Sequence, residues 1–376
     1  MSLSRWDEGI DSDRVRGVNR NIWLVGHRKI PARQRAKLSR FRREGTVEVR
    51  PFPAEKKLRA SEAQGLSSEA MKGNPPNLPA HFAAAVEKTD IYIFTLGPRK
   101  PIPWDKIPAE RRKSVSVWLD TRYDKSRFAE EWAKVSKKRK VKMLAIEATL
   151  ATPERAGASG LDHEEWKRVM FEGCMADPEK MSSHSESLVS AMSGDRAVRI
   201  TTPFGTDLRF RLDKRPVDYS NGLATEEKAE RGEVVFLPAG GVEVSAAEDS
   251  AEGRIVYDVA IRAEKGLVQG LTLRLAQGRI KEVSAKSGKE SYDASPLRKR
   301  TGDENRFAFF GFGLNPNLRH GFTQDDKVLG GVTIGFGDNR DKGGKNVASG
   351  GWWASMSSAT VTINGQRIME DGRLLV

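Results

Sequence analysis

Metal-dependent chemistry requires three or four oxygen, nitrogen or sulfur ligands that converge on one point, and the chain offers few of the side chains that supply them. Its single cysteine, Cys174, excludes a cysteine-rich metal site. No two of its five histidines stand three or four residues apart, the spacing that would place both on one face of a helix. They are His27, His81, His163, His184 and His320. These residues predict no histidine- or cysteine-based metal centre.

Carboxylates are the remaining candidates for metal ligands. Glu243, Glu248 and Asp249 lie close together in sequence, and oxygen ligands of this kind suit hard cations. Further along the chain, Asp338 and Asp341 stand in a stretch typical of a turn, where Asp favours local backbone hydrogen bonds. An oxygen-rich site around Glu243 therefore stays open as one hypothesis.

Two other catalytic patterns do not occur in the sequence. A Gly-x-Ser-x-Gly elbow, which would present a nucleophilic serine, is absent, so a serine-based site lacks its usual signature. A glycine-rich phosphate loop is absent as well, because Gly26 and Gly97 each stand alone at the end of a predicted strand. We therefore expect no nucleotide cofactor.

Glycine and aromatic residues are concentrated in the last fifth of the chain. Residues Phe307–Asn317 read Phe-Ala-Phe-Phe-Gly-Phe-Gly-Leu-Asn-Pro-Asn, and Leu329–Gly337 read Leu-Gly-Gly-Val-Thr-Ile-Gly-Phe-Gly. The runs Gly343–Asn346 and Gly350–Trp353 follow, and Leu237–Val242 precede them with Leu-Pro-Ala-Gly-Gly-Val. Together these runs resemble the motifs of the thermophilic metalloaminopeptidases, and the resemblance covers most of the chain.

In this resemblance the glycines, Asn315, Asn346 and Trp352 match the motif, but the positions of the metal ligands carry other residues. Those positions fall on Gly241, Phe309, Thr333, Gly351 and Trp353. The resemblance implies an α/β N-terminal domain, a β-rich α+β C-terminal domain and a homodimer. The iron-dependent dihydroxypyridine dioxygenases share the same fold, so it is known to host more than one chemistry.

Loss of the ligands changes the expected character of the pocket from charged and hydrophilic to aromatic, neutral and dry. Aromatic side chains supply large contact areas at low entropic cost. We therefore expect a metal-free, non-catalytic protein without cofactors that binds a peptide and presents it to tailoring enzymes. The candidate peptide-binding residues are Phe309, Thr333, Asn346, Gly351, Trp352 and Trp353.

Other functions remain open. A hydrolase or oxygenase would use a metal ion relocated to Glu243, Glu248 and Asp249. A structural subunit would assemble with an active relative. A third reading is that side chains have simply filled the pocket and the domain is a scaffold.

Hydrophobic patterning predicts two domains, residues 1–157 and 158–376. In the first, apolar runs predict strands that alternate with helices, which is typical of a parallel sheet. The predicted strands are Asn21–Gly26, Thr46–Arg50, Asp90–Leu96, Val115–Leu119 and Lys142–Ile146, and the predicted helices are Pro31–Arg43 and Arg127–Ser136. Residues Thr152–Gly160 have the composition of a linker, and Asp162 is placed to cap a helix that runs to Cys174.

The second domain has short alternating strands separated by tight turns. Leu271, Leu273 and Leu275 alternate with polar residues, which predicts a strand with one buried face. The dipeptides Gln277-Gly278 and Asn364-Gly365 favour hairpin turns. The pattern predicts an antiparallel, β-rich domain.

The basic charge is concentrated in the first domain. Of the net charge of +13, residues 1–157 contribute +15, from 34 basic and 19 acidic residues. Such a field attracts an acidic partner such as an acidic peptide, whereas no nucleic-acid recognition motif accompanies it. No apolar run reaches the roughly 20 residues of a membrane span, and the N-terminus lacks a signal pattern, so we expect a cytoplasmic protein without a membrane partner.

Overall fold

The computed structural model describes residues 22–26, 47–51, 90–95, 134, 137–263, 266–294 and 301–376. Contacts divide the chain into two compact units, one formed by Met1–Ala158 with Leu223–Leu237 and the other by Ser159–Gly222 with Pro238–Val376. The domain boundary at 157/158 stays a prediction. The structure also assigns residues 223–237 to the first unit, and no feature of the sequence indicated that the chain returns to it.

The first unit contains a five-stranded sheet in which all neighbouring strands are parallel. The strand order is β2-β1-β3-β4-β7, numbered along the chain. The strands are β1 (Ile22–Gly26), β2 (Val47–Pro51), β3 (Ile91–Thr95), β4 (Lys142–Ile146) and β7 (Val234–Leu237). Four predicted strands are thereby confirmed. The predicted strand Val115–Leu119 and helix Pro31–Arg43 lie outside the described residues, as does the helix Arg127–Ser136 apart from Lys134.

Five α-helices occur among the described residues. They are α1 (Pro153–Ser159), α2 (His163–Cys174), α3 (Pro178–Met192), α4 (Glu226–Arg231) and α5 (Lys289–Ala294). The predicted cap of α2 is confirmed, because the Asp162 carboxylate accepts a hydrogen bond from the Glu165 N–H at 2.7 Å. The predicted linker is wrong in its conformation: residues 153–159 form α1, which begins at a proline and buries Ala156.

The second unit is built on a twelve-stranded sheet. Its main path runs β16-β15-β14-β8-β6-β5-β17-β18-β19, and β9, β12 and β13 branch from β6. The strands on this path are β5 (Asp195–Thr201), β6 (Asp207–Ser220), β8 (Gly241–Ala246), β14 (Phe307–Gly313), β15 (Val332–Gly337), β16 (Gly351–Met356), β17 (Thr360–Ile363), β18 (Gln366–Glu370) and β19 (Arg373–Leu374). The branch strands are β9 (Glu252–Val256), β12 (Thr272–Ala276) and β13 (Arg279–Ser284). A separate hairpin pairs β10 (Ile261–Ala263) with β11 (Gly266–Val268).

Local sequence explains the hairpins of this unit. Leu273 and Leu275 of β12 are buried while Arg274 is exposed, which confirms the predicted alternation. Both residues of the Gln277-Gly278 turn and both residues of the Asn364-Gly365 turn have positive φ, the geometry that matches the twist of a two-residue hairpin. The antiparallel, β-rich character predicted for this region is confirmed.

One face of strands β8, β14, β15 and β16 forms the apolar core of the unit. Phe310, Phe312 and Phe336 are fully or almost fully buried there. The Phe310 ring meets the Phe312 ring edge-on at 5.0 Å, a favoured aromatic geometry. Within the described ranges, no helix is long and apolar enough to cross a membrane.

Candidate functional site

The opposite face of the same four strands brings polar, aromatic and glycine residues together. Strand pairing puts two cross-strand rows on this face, because residues that are directly opposite each other in an antiparallel pair point to the same side. One row is Glu243, Gly311, Thr333 and Ser355, and the other is Ser245, Phe309, Gly335 and Trp353. We call these eight residues the open face; Trp353 is exposed, Glu243 is partly exposed, and the other six are buried. Three of the predicted peptide-binding residues, Phe309, Thr333 and Trp353, lie together on it.

Phe309 and Trp353 form an aromatic pair across a glycine. Gly335 lies between them in the row, and a Cβ atom at this glycine would stand only 2.0 Å from the Phe309 ring. The ring therefore covers the Gly335 backbone. Its centroid is 6.3 Å from that of Trp353, whose side chain is 53% exposed. The pair presents a partly exposed aromatic surface next to the end of the sheet.

Lys342 places a positive charge over this surface. It closes the 3₁₀ turn Arg340–Lys342, and its Nζ lies 2.7 Å from Glu243 Oε1 and 5.6 Å from the centroid of the Phe309 ring. Burial lowers the pKa of Lys342, but the negative charges of Glu243, Asp341 and Asp218 outweigh it, so the net pKa is raised. The expectation of a neutral pocket is wrong, because the Lys342–Glu243 ion pair lies on this face. The sequence did not indicate the pair, because its two residues stand 99 positions apart and leave no local pattern.

Buried hydroxyl groups complete the open face. The Thr333 and Ser355 hydroxyls share a hydrogen bond of 2.8 Å, and both side chains are buried. Ser245 is fully buried, and its Oγ has no hydrogen-bond partner within the described part of the chain. An unpaired buried hydroxyl costs free energy, so this atom marks a point where the face has unused polar capacity.

The structure does not bring the other predicted binding residues to the same place. Trp352 is 3% exposed and packs into the core, where its ring stacks on that of Phe336 at 4.9 Å. Neighbouring residues of a strand point to opposite faces, so Trp352 and Trp353 cannot both face one ligand. The period-2 rule would have separated them from the sequence alone.

Asn346 and Gly351 both lie against backbone atoms of neighbouring strands. Asn346 is buried, and its side-chain amide donates to the carbonyls of Phe307 and Gly337 at 2.9 and 3.1 Å, which ties β14 to β15. Gly351 pairs with Gly337 in register. A Cβ atom at Gly351 would stand 2.9 Å from the Phe336 carbonyl oxygen, so the site favours glycine.

Glu248, another carboxylate of the candidate metal cluster, forms a buried hydrogen-bonded node with its neighbours. Glu248 accepts two hydrogen bonds from Arg215, at 2.6 and 2.7 Å, and both side chains are about 6% exposed. It also accepts from the Lys345 N–H at 2.6 Å and the Asn339 amide at 3.2 Å. Burial raises the pKa of Glu248, but these donors outweigh it and lower the pKa to about 2. The node anchors the segment that carries Lys342.

A metal ion on the open face is implied by the resemblance to the metalloaminopeptidases and the iron-dependent dioxygenases. The residues present do not fit one. The matched ligand positions hold the Phe309 and Trp353 rings and the Thr333 hydroxyl, which is already bonded to Ser355. In the relocated alternative, Glu243 and Glu248 are each paired with a basic side chain. Across the described residues, no group of three or more His, Cys, Asp and Glu side chains could hold a metal ion.

Comparison with known proteins identifies relatives of the same fold. The family model described as NicX, 2,5-dihydroxypyridine 5,6-dioxygenase, matches residues 169–376, which is more than half of the chain. No curated protein matches.

Two solved structures are similar over nearly the whole chain. The 2,5-dihydroxypyridine dioxygenase from Pseudomonas putida KT2440 is 16% identical, with a TM-score of 0.59 over 100% of this chain and 96% of that one. Wild-type AmpT from Thermus thermophilus is 16% identical, with a TM-score of 0.61 over 96% of each chain. These likenesses confirm the predicted fold, an α/β domain with a β-rich domain. Together with the family match, they show that the chain belongs to the 2,5-dihydroxypyridine 5,6-dioxygenase family.

Proposed function

We propose that this chain is a metal-free, non-catalytic member of its family that binds an extended peptide along β16 and across the open face. The observation that carries the proposal is the Trp353 side chain, which is half exposed on the last strand of the sheet and backed by the Phe309 ring. The Trp353 and Phe309 rings together form an aromatic surface beside the sheet edge, and aromatic side chains supply large contact areas for a ligand.

Strand geometry supports a peptide as the ligand. In the described sheet, β16 stands at one end of the strand order and pairs with β15. An extended peptide adds to such an edge through main-chain hydrogen bonds, while side-chain surfaces on alternate residues give selectivity. On this face of β16, Trp353 is exposed and would meet a residue of the peptide, whereas Ser355 is buried and bonded to Thr333.

The proposal extends to the partners. A protein that holds a peptide without cleaving it suits a pathway in which separate tailoring enzymes modify that peptide, with this chain acting as a cytoplasmic homodimer. The basic N-terminal half would attract acidic segments of the peptide by its long-range field. Part of that basic charge is compensated locally, because Lys140 Nζ lies 2.6 Å from Glu230 in α4.

Peptide selection tests the proposal. A library of short random peptides is selected on the wild-type protein, and the enriched peptides are titrated by calorimetry. Trp353→Ala should weaken their binding about thirty-fold, the loss of about 2 kcal/mol typical of an aromatic hot spot. The matched control is Phe204→Ala, an aromatic residue that is also half exposed but lies in the turn between β5 and β6. A failure to enrich peptides, or equal affinity in both variants, would contradict the proposal.

A second candidate is a metal-dependent ring dioxygenase, and the family match favours it. Protein loaded anaerobically with ferrous iron and mixed with 2,5-dihydroxypyridine should consume no oxygen above the iron-only control if the binding proposal is right. Oxygen uptake equal to the substrate consumed, with one iron retained per chain after desalting, would establish the dioxygenase instead.

A further inference from the structure

Lys342 is bound on the open face in the way that a foreign ammonium group would be. One side of its Nζ meets the Glu243 carboxylate at 2.7 Å, Asp341 lies 3.6 Å away, and the Phe309 ring lies below at 5.6 Å. Carboxylates combined with an aromatic face are the usual surroundings of a bound alkylammonium. The face therefore already contains a cation-binding subsite, and the chain's own lysine occupies it.

The backbone that carries Lys342 is anchored independently of its side chain. Asn339 is buried, donates to the Ala308 carbonyl at 3.0 Å and accepts from the Asn346 N–H at 3.0 Å. Gly343 ends the turn with a positive φ. Because these contacts hold the backbone, the flexible Lys342 side chain can leave the subsite without unfolding the turn.

The immediate surroundings of the Lys342 ammonium are acidic. The Glu243 and Asp341 carboxylates lie 2.7 and 3.6 Å from its Nζ, so the subsite favours a cation over an anion. Although burial lowers the pKa of Lys342, the nearby carboxylates raise it overall. The buried, unpaired Ser245 hydroxyl lies on the same strand, two residues beyond Glu243 and opposite Phe309.

We propose that the open face is a subsite for a primary alkylammonium group of the ligand, and that Lys342 is an internal competitor which the ligand displaces. This inference rests on the proposed function for its setting, since a peptide supplies such a group as a lysine side chain or as a free N-terminus. Glu243 accepts the incoming ammonium, and the Phe309 and Trp353 rings pack against its alkyl chain.

An alkylammonium fits this subsite better than a divalent metal ion does. A metal ion needs three or four converging donors, whereas an ammonium is satisfied by one or two carboxylates and an aromatic face. The Phe309 ring supplies the aromatic face for the ammonium.

The test compares wild type with Lys342→Met, which keeps an unbranched apolar side chain of nearly the same length and removes the ammonium group. The probes are three capped peptides: acetyl-Gly-Lys-Gly-amide offers a side-chain ammonium, Gly-Gly-Gly-amide a terminal one, and acetyl-Gly-Gly-Gly-amide none. If Lys342 occupies the subsite about nine-tenths of the time, its removal should tighten binding of one ammonium peptide about tenfold. Whichever of the two gains identifies the source, and the uncharged peptide should gain nothing.

Two further variants separate this subsite from a general change in charge. Arg340→Met removes a neighbouring exposed cation of the same turn and should give no tenfold gain. Glu243→Gln added to Lys342→Met should abolish the gain. Equal gains with Arg340→Met, or a gain that survives Glu243→Gln, would overturn the inference, as would tightened binding of manganese instead of either ammonium peptide.

A third measurement needs no Lys342 variant and so does not depend on its folding. In Glu243→Gln, the pKa of Lys342 followed by NMR should fall, because its closest negative charge is gone. An unchanged pKa would overturn the inference. If selected peptides bind in a Trp353-dependent way but Lys342→Met does not tighten ammonium binding, the proposed function stands and the subsite does not. If Lys342→Met tightens ammonium binding but no peptides are selected, only the subsite stands.

Discussion

Two ion pairs of the second unit, Arg215–Glu248 and Lys342–Glu243, differ in their exposure and in the number of their contacts. Arg215 and Glu248 are about 6% exposed, bidentate and supported by further donors. Lys342 and Glu243 meet through one contact and are 20% and 35% exposed. The first pair is fully satisfied by the fold, while the second leaves ammonium and carboxylate groups within reach of a ligand.

The difference shows that one segment combines rigidity with access. The Glu248 node fixes the backbone of residues 339–345 through Asn339 and Lys345. The Lys342 side chain then extends from that fixed backbone onto the open face. A site that exchanges an internal cation for an external one needs this arrangement, because the groups around it must stay in place when Lys342 leaves.

The largest effect is expected from breaking the buried pair. Arg215→Met leaves the Glu248 carboxylate buried without its main partner, which typically costs about 3–5 kcal/mol. The free energy of unfolding of the second unit, measured in urea, should fall by that amount. The control, Arg340→Met, removes an exposed guanidinium and should cost less than about 1 kcal/mol. Equal losses of unfolding free energy in the two variants would show that the Arg215–Glu248 pair stabilises the fold no more than an exposed ion pair does.

The second-largest effect is expected from lowering the pH, which should remove the stability that the Arg215–Glu248 pair contributes. The pKa of Glu248 is about 2 in the folded protein and 4.5 without its partners, so its contribution is fully present above pH 4.5 and is lost as the pH falls through 2. The linked stability amounts to about 3 kcal/mol. Unfolding measured from pH 5 to 2 should lose this amount in wild type and much less in Glu248→Gln. Parallel curves for the two proteins would contradict the low pKa.

The smallest effect is expected from the partly exposed pair. Glu243→Gln should change the free energy of unfolding by about 1 kcal/mol or less, because solvent reaches both partners and screens their contact. Denaturation in urea, with Arg215→Met measured alongside, gives the comparison directly. A loss as large as that of Arg215→Met would place Glu243 in the structural node and remove the contrast.

Local patterns predicted much of the fold. The Asp162 cap, the alternation of Leu273 and Leu275 and the Asn364-Gly365 turn depend on neighbouring residues, so the sequence indicates them directly. Residues 153–159 were predicted as a linker because Pro153 and Gly157 are breakers, yet a proline is tolerated in the first turn of a helix.

The site was harder to predict because its contacts are distant in sequence. Three of the residues chosen from motif positions, Phe309, Thr333 and Trp353, lie on one face, and their role in binding stays a prediction. Lys342 was missed because its partner stands 99 residues earlier, in a different strand, and because its own segment has the composition of an ordinary turn. Only the three-dimensional structure, in which Lys342 Nζ lies 2.7 Å from Glu243 Oε1, reveals that the two charges meet.

The close packing of Phe309 on Gly335 affects how this sequence could evolve. A glutamate at position 309 would leave the Gly335 backbone uncovered and would add a negative charge beside Glu243, while Thr333 and Trp353 still supplied no metal ligands. A Phe309→Glu substitution alone is therefore expected to lower stability. The contact that shapes the aromatic surface thus also restricts which residues position 309 can accept.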